Sequence, residues 1–182
     1  MSGYEFFCVD DELWCSANGG TIKVDVQSEG LINKLFEKIE HDYPMAYEYL
    51  CEHYKDARLN MAYYRYLIVR RFVKCNFSNL DTTKEDIERN GIMNFEHVAC
   101  PLRGECACEG VVCHPKYKTR LTKREIEVGR LWYNGLTKEK IAEQLFVSVD
   151  TVTSHIRNIY SKLGVHSIGE YITFANINSI FV

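Results

Sequence analysis

Apolar positions recur along this chain with two periods, and the period changes from one stretch to the next. Residues 4–9 and 12–16 are rich in β-branched and aromatic types, Asn18-Gly19-Gly20 is a turn signal, and residues 21–26 alternate apolar with polar. That pattern predicts a small β-hairpin or meander at the N-terminus. The spacing then becomes helical. Leu31, Leu35 and Ile39 share one face of a helix over 30–40, and Pro44 suits the first turn of a second helix over 44–54. Leu59, Tyr63, Tyr66, Leu67 and Val73 mark a third amphipathic helix over 57–74. Residues 76–99, with Asn, Ser, Asp, Thr and Gly, predict irregular chain. The expected fold is mainly α behind a small sheet.

After residue 116 the helix signals are sharper. Thr122 and Glu125 form a capping box, followed by Val128, Leu131 and Trp132 as a buried stripe, with Asn134-Gly135 as the stop. Thr137 caps a second short helix with Ile141, Ala142 and Leu145 inside. A three-residue turn, 146–148, leads to a third helix capped by Ser148, with Val152, Ile156, Ile159 and Leu163 inside and Gly164 as its stop. Ser167 and Glu170 open a fourth helix. Two short helices across a tight turn are a helix-turn-helix, whose second helix enters the DNA major groove. Its outward residues are Asp150, Thr151, Thr153, Ser154 and Arg157, with Lys162 further on. The helix start at Thr137 suits a phosphate. Thr137, Lys138 and Ser148 complete the expected DNA-contacting set.

Composition sharpens this division. The chain is 46% hydrophobic and 26% charged over 182 residues, too apolar for a disordered chain. The net charge of −3 hides a split. Residues 1–115 hold 12 Lys and Arg against 19 Asp and Glu, whereas 116–182 hold 10 against 6. An acidic front and a basic tail imply two modules, 1–115 and 116–182, the second with an anionic partner. No apolar run is long enough to cross a bilayer and no signal peptide opens the chain, so a cytoplasmic protein without a membrane partner is expected.

Residues 121–167 resemble the LuxR-type (GerE-type) DNA-binding domain. The likeness rests on Leu121, Thr122, Arg124-Glu125, Glu127-Val128, Gly135, Ile141-Ala142, Leu145, Ser148, Thr151-Val152, His155, Asn158-Ile159 and Lys162 to Val165, in order and without a gap. The resemblance implies a four-helix transcription-factor domain that binds operator DNA as a dimer. It places 149–163 in the major groove and 167–177 at the dimer surface. Two positions depart from the family pattern. Thr153 stands where the family commonly has Lys, removing one phosphate or base contact. Gly129 stands where it has a core Leu, which would cost about 1 kcal/mol in helix propensity besides any missing core volume.

Other readings of the front fare worse. Phe7-Cys8-Val9-Asp10-Asp11 mimics the acidic pair of a phospho-acceptor receiver, and Asp56 sits at a suitable distance. Residues 49–55 nevertheless read as helix, and no alternation of strands and helices follows, so Asp10 and Asp11 are expected in a turn between two strands. The tyrosines between 43 and 66 suit either a base-stacking surface or an aromatic helix–helix core, and the core is preferred. No nucleophile elbow or HExxH motif appears, so no enzyme activity is expected.

Eight cysteines remain, four of them between 100 and 113 in the pattern C-x5-C-x-C-x4-C. In a reducing compartment such clustering points to metal or redox chemistry rather than a disulfide framework. The spacing fits neither a standard zinc finger nor common ferredoxin patterns. Cys75-Asn76-Phe77, Cys100-Pro101-Leu102-Arg103-Gly104-x-Cys106 and Cys113 together resemble small regulators with a cysteine-bearing segment ahead of a LuxR-type tail. That resemblance implies Cys75, Cys100, Cys106 and Cys113 as the recurring thiols, with Cys108 extra; by residue type alone, His97 and His114 are candidate substitutes as ligands. Three states stay open: a structural zinc site across 75–113, an iron–sulfur cluster that senses redox, or free thiols. Cys8, Cys15 and Cys51 are expected as small buried hydrophobes. The function expected is a sequence-specific DNA-binding transcriptional regulator whose front module binds metal, dimerises or senses. The alternatives are a thiol or iron–sulfur redox sensor whose tail serves association, and an adaptor that meets RNA polymerase.

Overall fold

The computed structural model describes residues 3–77, 80, 84–89, 91–178, 180 and 181. The chain divides into two compact units, Met1–Lys118 and Thr119–Val182. The division falls three residues beyond the point suggested by composition. Residues 116–118 belong to the front, where the Lys118 N–H donates to the Asp42 carbonyl.

The front unit opens with β1 (Glu5–Val9), β2 (Glu12–Ala17) and β3 (Gly20–Lys23), an antiparallel sheet in that order. Register pairs Phe6 with Cys15 and Trp14 with Lys23. Both turns place two successive residues at positive φ, Asp10 and Asp11 in the first and Asn18 and Gly19 in the second, as the twist of a tight hairpin demands. The Asp10-Asp11 pair is thus a turn in an antiparallel meander and not the acidic pocket of a parallel sheet. Asp11 is also paired with Arg70 at 2.6 Å and with Lys74. β3 is shorter than the alternation over 21–26 predicts and is exposed along its length. The inward anchor is Val24 just beyond it, fully buried and bonded to the Leu13 carbonyl.

Helices α1 (Glu29–Asp42), α2 (Pro44–His53) and α3 (Met61–Asn76) follow, with a 3-10 turn at Lys55–Leu59. Helix α1 buries Ile32, Leu35, Phe36 and Ile39. Helix α3 corrects the sequence expectation. Asn60 caps it by accepting the Tyr63 N–H, and its buried face is Tyr64, Ile68, Val69, Phe72 and Val73. Leu59 lies outside it, fully exposed, and Tyr63 faces solvent. Apolar and aromatic residues stand on nearly every side of this helix, so period alone does not choose the face. Residues 84–99 form no named strand or helix among the described residues, yet they carry core. Phe95 lies between Tyr43 at 5.3 Å, Phe77 at 5.5 Å and Phe72 at 6.0 Å. The tyrosine-rich stretch is a core, with Tyr43 and Tyr64 buried. Cys15 is buried, while Cys8 and Cys51 are only half-buried.

The second unit comprises α4 (Lys123–Tyr133), α5 (Lys138–Leu145), α6 (Val149–Leu163) and α7 (Ile168–Ile177). Thr122, Thr137, Ser148 and Ser167 each cap the helix that follows by accepting a backbone N–H three residues on. The Thr122–Glu125 box is complete, and Glu125 is buried. Its carboxylate accepts the Thr122 N–H at 2.7 Å and the Lys162 ammonium at 2.6 Å, joining the start of α4 to the end of α6. Burial works to raise this carboxyl, but Lys162 and the Thr122 donors outweigh it and hold it below its ordinary value of 4.5.

Gly129 leaves no hole in the core. A Cβ there would stand 2.8 Å from the Tyr171 hydroxyl and 3.2 Å from Phe181. The Tyr171 side chain is fully buried and donates to the Gly129 carbonyl at 2.8 Å. The missing leucine volume is filled from α7, which corrects the expectation of lost packing. Gly129→Ala is therefore expected to destabilise the unit by about 1–3 kcal/mol despite its helix-propensity gain. Thermal unfolding of G129A, Y171F and the double variant measures this, and removing the hydroxyl should relieve most of the alanine penalty.

The Glu125–Lys162 pair carries a pH signature. A carboxyl depressed by folding contributes stability above its unfolded value, which is lost as pH falls through the folded one. Below about pH 4.5 the second unit should weaken. Lys162→Ala should cost about 1–2 kcal/mol at pH 7 and shrink the loss of stability on acidification, because the folded carboxyl then rises toward its unfolded value. Urea unfolding across pH 3–7 checks both.

Candidate functional site

Helix α6 owes its position to its inner face. Val152, Ile156, Ile159 and Leu163 are buried, and the Tyr160 hydroxyl accepts the Trp132 indole N–H at 3.1 Å. At a 100° step, this leaves Asp150, Ser154, Arg157 and Asn158 on the outer face, all exposed. Thr153 lies at the edge of that face. A surface groove brings it together with Arg157, Tyr160 and His166 and with Lys138 from the first turn of α5. Lys138, Thr153 and Arg157 thus line one concave surface, although 15 or more positions separate Lys138 from the other two.

The remaining expected contacts are placed differently. Thr137 is committed to the Lys140 N–H at 3.4 Å, and Ser148 to the Thr151 N–H at 3.1 Å and its hydroxyl at 2.9 Å. These hydroxyls hold helix starts and remain exposed. Lys162 lies on the flank of α6 that faces α4, with its ammonium on Glu125, and is not gathered with Arg157. Phe146 stands outside the expected set. It is 93% exposed in the left-handed cap of α5, and with exposed Val149 it forms an apolar head to α6.

Unit boundaries change the charge balance. With Lys116 and Lys118 in the front, residues 119–182 hold eight Lys and Arg against six Asp and Glu. Two of the cations are paired internally, Lys162 with Glu125 and Arg124 with Glu127. Lys138 and Arg157 therefore form a local basic patch on a mildly basic unit, next to Glu139, whose carboxyl is held low by the helix-start N–H and Thr137.

In the front unit, three of the four expected thiols stand in two pairs, with Cys108 in the place expected of Cys100. Cys75, near the end of α3, lies against Cys113; burial pushes Cys75 up to about 12 and raises Cys113. Cys106 accepts the Cys108 N–H at 3.4 Å, and both sulfurs lie 3.5 Å from the Arg71 guanidinium. The Cys108 N–H, the Cys108 side chain and Arg71 hold the Cys106 thiol below its ordinary value. Cys100 begins the loop, with its carbonyl on the Arg103 N–H. His97 and His114 stack at 6.4 Å. Among the described residues, the only His, Cys, Asp or Glu trio with ligand atoms all within 4.8 Å of one another is Glu5, Asp86 and Glu96. Arg71, which donates to two of these sulfurs, was not singled out by the sequence, and Asn76 entered only as part of the run Cys75-Asn76-Phe77. The one signal for Arg71 is that it and Cys75 are four apart on a helix.

Residues 119–175 match the family model of bacterial regulatory proteins, luxR family. Over 60 residues, a third of this chain and 29% of the relative, the sequence is 45% identical to the Fimbriae Z protein of Salmonella typhimurium. It is 42% identical over 60 residues, again 33% of this chain and 28% of the relative, to the transcriptional regulatory protein LiaR of Bacillus subtilis. It is 53% identical over 47 residues, 26% of this chain and 23% of the relative, to a nitrate/nitrite response regulator protein homolog of Haemophilus influenzae. The chain thus spans less than a third of the length of these relatives, and no solved structure matches it. Residues 119–175, from just before the capping box of α4 into α7, are thus similar to the luxR-family helix-turn-helix domain.

Proposed function

We propose that this chain is a sequence-specific DNA-binding regulator of transcription, with α6 lying in the major groove. The observation that carries this reading is the shared groove of Lys138, Thr153 and Arg157 on a luxR-family helix pair. The outer face of α6 bears a guanidinium, hydroxyls and an amide, the donors that base edges and phosphates accept. Lys138 and the start of α5 meet the backbone, and Arg157 meets a guanine edge or a phosphate. Thr153 reads more gently than a lysine would. Phe146 and Val149 supply apolar surface suited to thymine methyl groups. The outer face of α7, with Ile168 and Thr173 exposed, serves to pair two copies, so the operator has two half-sites about one helical turn apart. Among the described residues no helix is long and apolar enough to cross a membrane. RNA polymerase is the further partner of such a regulator, through the acidic front.

Selection of bound sequences from random duplex DNA, followed by fluorescence anisotropy at several salt concentrations, tests the reading. Arg157→Ala should weaken the selected site by about 1–3 kcal/mol. Lys138→Ala should weaken all duplexes alike and lower the salt slope by about one. Unchanged affinity in both variants, or no duplex preference in the selection, overturns the docking face.

A further inference from the structure

The cysteine loop is built onto the end of α3 by one buried side chain. Asn76 is wholly buried; its amide donates to the Phe72 carbonyl at 2.9 Å and the Val112 carbonyl at 2.8 Å, and its oxygen accepts the His114 N–H at 2.9 Å. This strap sets Cys113 beside Cys75. Residues 100–113 then coil through successive tight turns. The Leu102 carbonyl accepts the Cys106 N–H, the Cys106 carbonyl accepts that of Glu109, and the Cys108 carbonyl faces those of Val111, Val112 and Cys113. Gly104 and Gly110 take the positive φ that such a path needs. Cys106 and Cys108 are delivered to Arg71, one helical turn before Cys75 on the same face of α3.

Arg71 is the informative group. A guanidinium keeps its charge in any protein environment. Its Nε is buried without a hydrogen-bond partner among the described residues, and Nη2 meets only the sulfurs of Cys106 and Cys108. No carboxylate pairs with it among the described residues. A partly buried cation needs a counter-charge, and the neighbours able to supply one are sulfurs. Several thiolates packed together repel one another, however, and one arginine balances only one of them. A divalent thiophilic cation completes the balance.

We propose that Cys75, Cys106, Cys108 and Cys113 bind one zinc ion, with Arg71 donating N–H···S bonds to the thiolates of Cys106 and Cys108. Zinc takes four thiolates in a tetrahedron and needs no redox partner. Four thiolates, one zinc and one guanidinium leave a net charge of −1, which the half-exposed loop tolerates. Sulfurs on a tetrahedral zinc stand about 3.8 Å apart, from Zn–S bonds of about 2.3 Å. Among the described residues no three cysteine sulfurs all lie within 4.8 Å of one another, so the ion draws the two pairs together. Cys108 takes the place that the sequence pattern assigned to Cys100. Cys108 is buried beside Arg71, while Cys100 stands before the Leu102–Arg103 turn. This site is independent of DNA binding.

The full chain, reduced and stripped of metal without oxygen, is titrated with Co2+ and then Zn2+. The expected result is one Co2+ per chain, with tetrahedral visible bands and thiolate-to-cobalt charge transfer, all displaced by one Zn2+. Cys75→Ser and Cys108→Ser should lose this spectrum. Cys100→Ser and the control Cys51→Ser should keep it. Arg71→Gln should keep the spectrum but weaken zinc binding about tenfold or more. X-ray absorption of the zinc form of the unaltered chain counts the ligands without any variant, and four sulfurs are expected. A spectrum lost in Cys100→Ser and kept in Cys108→Ser overturns the ligand set, as does any nitrogen or oxygen ligand. Absence of tetrahedral cobalt, disulfides in place of bound metal, or a brown protein that carries iron and sulfide overturns the zinc site.

Discussion

The buried carboxylate of Glu125 is the constraint on which the second unit depends. It closes the capping box of α4 and, through the Lys162 ammonium, holds the far end of α6. A charge taken out of water must have its partners in place, so α4 and α6 are not free to slide past each other. The orientation of α6 decides which residues reach the groove. Arg157, Thr153 and Lys138 come together in one groove, while Lys162 is turned toward Glu125. Gly129 adds to the same arrangement from α7, since only a residue without a side chain lets the Tyr171 hydroxyl reach the backbone of α4.

The front unit solves a different problem. Its sheet is small and one strand is wholly exposed, so Phe6, Leu13 and Cys15 of the other two strands join a core made mostly by the helices and the irregular stretch that carries Phe95. Irregular chain holds such a place only if its polar backbone groups are met. Asn76 does this for the cysteine loop, and buried Asp86, accepting the Phe6 N–H at 2.6 Å, does it for the strand start. The loop thus packs against the core through Cys108 and Val112, with its thiols on the side of Arg71.

Charge is organised locally rather than by halves. The acidic and basic halves seen in composition soften once Lys116 and Lys118 fall in the front and Lys162 and Arg124 are paired. What remains for an anionic partner is a patch at the start of α5 and along one edge of α6. A patch of that kind positions a polyanion, while the hydroxyls and amide beside it discriminate between sequences.

The caps at Thr122, Thr137, Ser148 and Ser167, the hairpin turns at Asp10-Asp11 and Asn18-Gly19, and the inner stripe of α6 were all legible in the sequence. They are legible because each rests on hydrogen bonds or side chains no more than a turn or two apart, where residue type alone sets the geometry. Contacts between distant positions were not legible. The buried face of α3, the filling of the space over Gly129 by Tyr171, the turning of Lys162 toward Glu125, and the meeting of Cys108 rather than Cys100 with Arg71 join residues 35 or more positions apart or depend on such contacts. Periodicity carries no information on which of several apolar faces, cations or thiols will meet a given partner. The tertiary structure decides it, because only there do burial and charge compensation act on all of them together.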